Sequence, residues 1–343
     1  MDISIVFSGL YSYYIKYDIL GELSLGLEND INIYVDIYRM LQVYRFNYNE
    51  IPKRDFIIPS FIINLAGHYR NFYRKMGINC KIYLVYADGS NSNHKIFIPS
   101  FNSHKDELRL NYENNKKYIN EQLELVKILA AYINDVYFIR RTSEFSVVVN
   151  DIINMHNSPV NIALTRSKYV YQLSAMNKNT YMFIPKMLTE NTHGISKSNA
   201  LIRYYQSTKS KTALSRMTNM SSELMSVFFA LNGCSDKNVH AIINIDKVSR
   251  VIQEAIEKNL ILNGYNADFR SVYNALPDIH KNIDPTTFEY RFKGVDLYYQ
   301  TMIYKSSMES KDMSWNINLN DPNTIRQINN KYFIKYPIIL ENL

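Results

Sequence analysis

The chain has 343 residues, 46% of them hydrophobic and 21% charged, a balance that excludes a disordered chain and leaves room for one large domain or two modest ones. Its net charge of +7 suits phosphate backbones and equally suits plain solubility. With only Cys80 and Cys234 present, a disulfide framework and a Cys-rich zinc site are both excluded.

In chain order, residues 1–30 read as an N-terminal extension. The opening MDISIVFSGLYSYYIKYD has no basic leader, and Ser, Gly and Tyr break its apolar stretch. Neither a signal peptide nor a membrane span is expected, hence a cytoplasmic protein with no membrane partner. INIYVDIYRML (31–41) begins as a β-branched strand and meets Asp36 at its end. SFIINLAGHYRNFYRKMG (60–77) predicts a helix with Ser60 as cap and Gly77 as stop. CKIYLVYADG (80–89) is a second strand that also ends in an acid, Asp88. A polar stretch leads to a helix with Ile119, Leu123, Val126, Leu129 and Ile133 on one face. VYFI (136–139) is a strand and EFSVVVNDIINMH (144–156) a helix opening at Glu144. VNIALTRSKYVYQL (160–173) is a strand that stops at a polar, cationic tip, and KNTYMFIP (178–185) is another strand. Strands alternating with helices predict a doubly wound, mainly parallel α/β domain over 31–186.

Residues 191–222 contain no Asp or Glu but carry Lys197, Arg203, Tyr204, Tyr205, Lys209, Lys211 and Arg216. Cations interleaved with Tyr suit a nucleic-acid track with base stacking, or equally a solvated loop. A segment over 187–275 is expected here, with helices in SSELMSVFFALNG and DKVSRVIQEAIEKN. Residues 276–343 are expected to add one helix, FEYRFKGVDLYYQTMI, packing back on the core. The histidines show no metal-binding spacing, and the common nucleotide-binding and hydrolase motifs are absent from the sequence.

In this order the segments resemble the bacterial and phage 5′-nuclease family, the flap-endonuclease-like (FEN-like) 5′→3′ exonucleases. The resemblance spans roughly 31–305 in order and local pattern. It implies a PIN-like α/β nuclease domain followed by a helix–three-turn–helix motif. IYVDIYRML resembles V-D-G-x-N-L, VYADGSNSNHK the second acidic strand end, and IPSFNSHKDE the segment entering the helical arch, with Lys105 near its basic position. EFSVVVNDI stands where the family has E-A-D-D, and NIALTRSKYVYQL where it has T-x-D-x-D. FFALNGCSDKNVHAIINIDKVSRVI resembles the helix–turn–helix core.

The resemblance implies a cluster of carboxylates holding two divalent ions. Of those positions Asp36, Asp88 and Glu144 keep an acid, whereas Ser146, Val147, Arg166, Lys168, Cys234 and Lys237 do not. Magnesium demands near-ideal octahedral oxygen ligation, so no catalytic residue and no cofactor are expected. Arg166 and Lys168 are expected to fill the old metal site and pair with the remaining acids. The expected function is a pseudonuclease, phage-encoded as the Tyr-, Asn-, Ile- and Lys-rich composition of an AT-rich genome suggests. It would serve as a protein-interaction, structural or DNA-binding subunit of a viral assembly or replication complex, in the host cytoplasm or the virion. The alternative is an active Mg²⁺-dependent 5′→3′ exonuclease or flap endonuclease using Asp36, Asp88 and Glu144 with Asp236 recruited, or with Asp151 or Asp135 if the alignment slips.

Overall fold

The computed structural model describes residues 30–38, 57–75, 77–89, 93–100, 116–131, 133–156, 160–165, 167–176, 180–185, 200–204, 225–234, 237–242, 273–274, 284–307, 326 and 330. Its elements are β1 (Ile31–Asp36), α1 (Ile57–Lys75), β2 (Cys80–Ala87), α2 (His94–Phe97), α3 (Lys116–Ala130), β3 (Val136–Arg141), α4 (Phe145–His156) and β4 (Val160–Leu164). A 3-10 turn (Lys168–Gln172) then runs into α5 (Leu173–Met176), followed by β5 (Thr180–Pro185), β6 (Ala200–Tyr204), α6 (Met225–Asn232), α7 (Pro285–Val295) and α8 (Leu297–Ser307).

The strands form one sheet in the order β3-β2-β1-β4-β5-β6. The first five are parallel, and β6 runs antiparallel to β5. From β1 the chain moves outward through β2 and β3, then returns to the other side of β1 with β4. That reversal opens a crevice at the carboxyl ends of β1 and β4, the usual ligand position in doubly wound sheets. The centre of the sheet is buried on both faces, which is why β1, β2 and β4 read as nearly continuous apolar runs.

Three tyrosines stand level across three strands, Tyr34 opposite Tyr83 and Tyr83 opposite Tyr137. Their rings stack at centroid distances of 5.0 and 5.2 Å. The Tyr34 hydroxyl donates to Asn161 Oδ1 on β4 at 3.0 Å. Aromatic cross-strand pairs of this kind favour one register.

Helix α1 starts at Ile57, so Ser60 lies inside its first turn rather than capping it. The expected stop at Gly77 is present. Its φ is +74°, its amide donates to Arg74 O, and the Ile78 amide donates to Tyr73 O, both at 3.0 Å. These are the paired bonds of a Schellman cap. Helix α4 is buried continuously from Phe145 to Ile153, because the sheet covers one side and α8 another.

The single C-terminal helix expected over FEYRFKGVDLYYQTMI is two helices broken at Asp296. That residue takes an extended conformation and accepts from the Tyr299 amide at 2.7 Å through Oδ1. An Asp side chain competes with the helix ladder in this way and starts a new helix. The sheet also continues past residue 186, since β6 pairs with β5. Helices α6, α7 and α8 share one hydrophobic core with α4.

Candidate functional site

Register places the acids. Val35 lies opposite Leu164, so Asp36, the last residue of β1, is level with Thr165. The Thr165 hydroxyl donates to Asp36 Oδ2 at 2.6 Å, and the Ser167 amide donates to Thr165 Oγ1 at 3.2 Å. The amide occupies a lone pair of the hydroxyl, which leaves its proton for the carboxylate. Asp36 is buried. A charge-assisted bond answers it within the sheet edge.

Strands β2 and β3 stay joined beyond their ends: the Asp88 amide donates to Arg141 O at 3.4 Å and the Gly89 amide to Ser143 O at 3.1 Å. This carries Asp88 and Glu144 to the same carboxyl edge. Asp88 is half-buried, and Glu144, immediately before α4, is buried.

A loop delivers the partner of Glu144. Helix α6 ends at Gly233, whose φ is +76° and whose amide donates to Phe229 O at 3.0 Å. Cys234 and Val239 then exchange two backbone bonds of 2.8 and 3.1 Å, and the Lys237 amide donates to Cys234 O at 2.9 Å. The Ile242 amide, bonded to Leu231 O at 2.8 Å, ties the exit of the loop to the helix. At its tip Lys237 turns inward and its ammonium donates to Glu144 Oε2, with the two side chains only 3% and 5% exposed. Burial at that level needs a paired charge on each side.

Lys237 Nζ also lies 5.6 Å from the centre of the Tyr169 ring, within cation–π range. Tyr169 is buried, and its hydroxyl donates to Val295 O at 2.8 Å. Burial pushes its phenol well above the usual range, and the nearby Asp296 and Glu144 add to the effect. His94 meets the Tyr169 ring edge-on at 5.3 Å, while its Nδ1 lies 2.5 Å from Gly294 O. Gln172 joins the same corner, donating to Val295 O and accepting from the Leu297 amide, both at 2.9 Å.

The positions singled out from the sequence therefore separate. Asp36, Asp88 and Glu144 share one sheet edge. Ser146 and Val147 are buried in the first turn of α4, and Cys234 forms the base of the loop that carries Lys237. Arg166, Asp236, Lys105, Lys197, Tyr205, Lys209, Lys211 and Arg216 lie outside the described residues, as do the side chains of Lys168, Arg203 and Tyr204. The cation described on Glu144 is Lys237; the pairing expected of Arg166 and Lys168 falls outside the described residues. Of the alternative ligands, Asp135 precedes β3 and so lies at the opposite edge of the sheet from Glu144, a strand length away. Asp151 lies two turns into α4, where its charge acts on Tyr304 of α8. Among the described residues no three His, Cys, Asp or Glu side chains stand close enough to share a metal ion. Sequence reading missed Thr165 and Tyr169, although both fall within the NIALTRSKYVYQL segment.

No family model matches the sequence, and no curated protein matches it. Among solved structures, the chain is similar to the bacteriophage T5 flap endonuclease in a pseudo-enzyme–product complex with DNA and metal ions. Identity is 14% over 80% of this chain and 91% of that one, with a TM-score of 0.52. It is similar also to the bacteriophage T5 protein co-crystallised with metal ions, at 11% identity over 80% and 92% of the two chains and a TM-score of 0.52. The likeness is one of fold: the chain folds as a FEN-like 5′-nuclease.

Proposed function

We propose that this protein is a pseudonuclease, a FEN-like fold that no longer hydrolyses DNA and is kept as a DNA-holding or protein-docking subunit of a phage replication or assembly complex. The observation that carries the reading is the buried Lys237–Glu144 pair. Two-metal hydrolysis needs carboxylates free to face divalent ions, which activate a water and hold the scissile phosphate. Here an ammonium faces Glu144, a hydroxyl faces Asp36, and Ser146 and Val147 supply no charge. A fixed positive charge repels an incoming Mg²⁺, and the remaining oxygens do not suit its octahedral demand. Among the described residues these side chains do not suit a metal pair.

The net charge of +7 and the DNA complex formed by the phage endonuclease support retained affinity for DNA. The test is cleavage of a 5′-flap and a nicked duplex with Mg²⁺ or Mn²⁺, run beside binding to the same DNAs over a salt series. No cleavage with salt-sensitive binding is the expected result. Cleavage that disappears in Asp36→Ala would establish the second reading, an active Mg²⁺-dependent endonuclease. The retention of Asp36, Asp88 and Glu144 on one sheet edge is what favours that alternative.

A further inference from the structure

We infer that Lys237 is a built-in cation that takes over the structural part a divalent ion would play in this crevice. It neutralises Glu144 and clamps the loop after α6 against the start of α4, so that the native state forms without metal. This role is separate from any loss of cleavage, because it lies in how the fold is held together.

Three features seat the charge. The loop is built to deliver it: a Cβ at Gly233 would lie 2.2 Å from Val239 O, so the chain can turn this tightly only at a glycine. The Cys234–Val239 bridge then closes the loop on a short backbone path, and Asn238, next to Lys237, takes a positive φ of 55°. The seat has supports other than the ammonium: Tyr169 is anchored to Val295 O and braced by the edge of His94. Asp36, also buried at this edge, accepts from the Thr165 hydroxyl. A charged contact thus links residues 93 positions apart, Glu144 and Lys237. A metal ion could bridge the same elements only by displacing that contact.

The experiment is thermal unfolding of the full chain in EDTA, in millimolar Mg²⁺ and in millimolar Mn²⁺, with K237M, E144Q and K237M/E144Q alongside. An ion that binds the native state raises its midpoint. The wild-type midpoint is expected to be the same in all three conditions. K237M is expected to unfold several degrees lower, since it leaves Glu144 buried without its cation, and K237M/E144Q to regain most of that loss in EDTA. A wild-type midpoint raised by more than about 2 °C in Mg²⁺ or Mn²⁺, and not raised in E144Q, overturns the inference. So does a double variant no more stable than K237M, the comparison that decides if K237M fails to fold. Neither result depends on DNA cleavage, so this inference and the pseudonuclease reading can fail separately.

Discussion

Asp296 joins α7 to α8, caps α8 through the Tyr299 amide, and is almost wholly buried. Burial pushes its carboxyl up to about 6, above the value of an unfolded aspartate. The native state therefore holds this proton more tightly than the unfolded chain does. The protonated form carries no penalty below the unfolded value near pH 4; stability is lost as pH rises through about 6, and the full cost, about 3 kcal/mol, applies above it. Asp296→Asn keeps an oxygen for the Tyr299 amide and cannot ionise. Urea midpoints should place it level with wild type at about pH 4 and above it at pH 7; a constant offset across that window would contradict the account. Glycines offer a second residue-scale contrast. Gly77 and Gly233 both have positive φ, but a Cβ at Gly77 meets nothing within 4 Å whereas one at Gly233 meets Val239 O. Gly77→Ala should cost about 1 kcal/mol, the left-handed strain alone. Gly233→Ala should cost several times more and should also loosen Lys237, which denaturant titration of both variants would show.

At the scale of elements, the tyrosine ladder ties β1, β2 and β3 into register. Tyr83 stacks on both neighbours, so Tyr83→Leu is expected to cost about 2–4 kcal/mol, more than its lost area alone implies. Tyr34→Phe keeps the stack but leaves Asn161 Oδ1 without the donated bond, at about 1–3 kcal/mol. Equal losses in the two variants would show that the ring stack adds nothing to ordinary core packing. Element identity was largely legible because each signal is local. An apolar run ended by Asp36 or Asp88 marks a strand and its edge, and Gly77 marks a helix stop by its own backbone freedom. What failed was also local but balanced: Ser60 is a good cap by type, yet the helix began earlier at Ile57. The break at Asp296 was hidden because the residues around it continue a helical pattern, and the side chain that interrupts them is itself buried by distant packing.

For the whole molecule, the described part of the C-terminal half is not an appendage to the α/β domain. Strand β6 extends the sheet, and Met225, Phe228, Phe288 and Val295 sit in the core cluster with Val148 and Ile152 of α4. A fragment ending at residue 186 would expose the covered side of α4 and leave Glu144 without Lys237. It should therefore lack the sharp unfolding transition of the full chain, as circular dichroism on heating would report. An independently folding fragment with a transition as cooperative as that of the full chain would restore the boundary expected from composition.

The sequence by itself determined that this is an alternating α/β chain, that acids close β1 and β2, and that six of the positions suggested by the nuclease resemblance lack a carboxylate. These follow from periodicity and from residue chemistry read a few positions at a time. Tertiary structure alone decided that Lys237 meets Glu144, because reach across that separation depends on register and loop geometry. The turn at Gly233 and the bridge from Cys234 to Val239 bring Lys237 in across 93 residues. It also decided that β6 completes the sheet, since an edge strand is defined by the neighbour it pairs with and not by its own side chains.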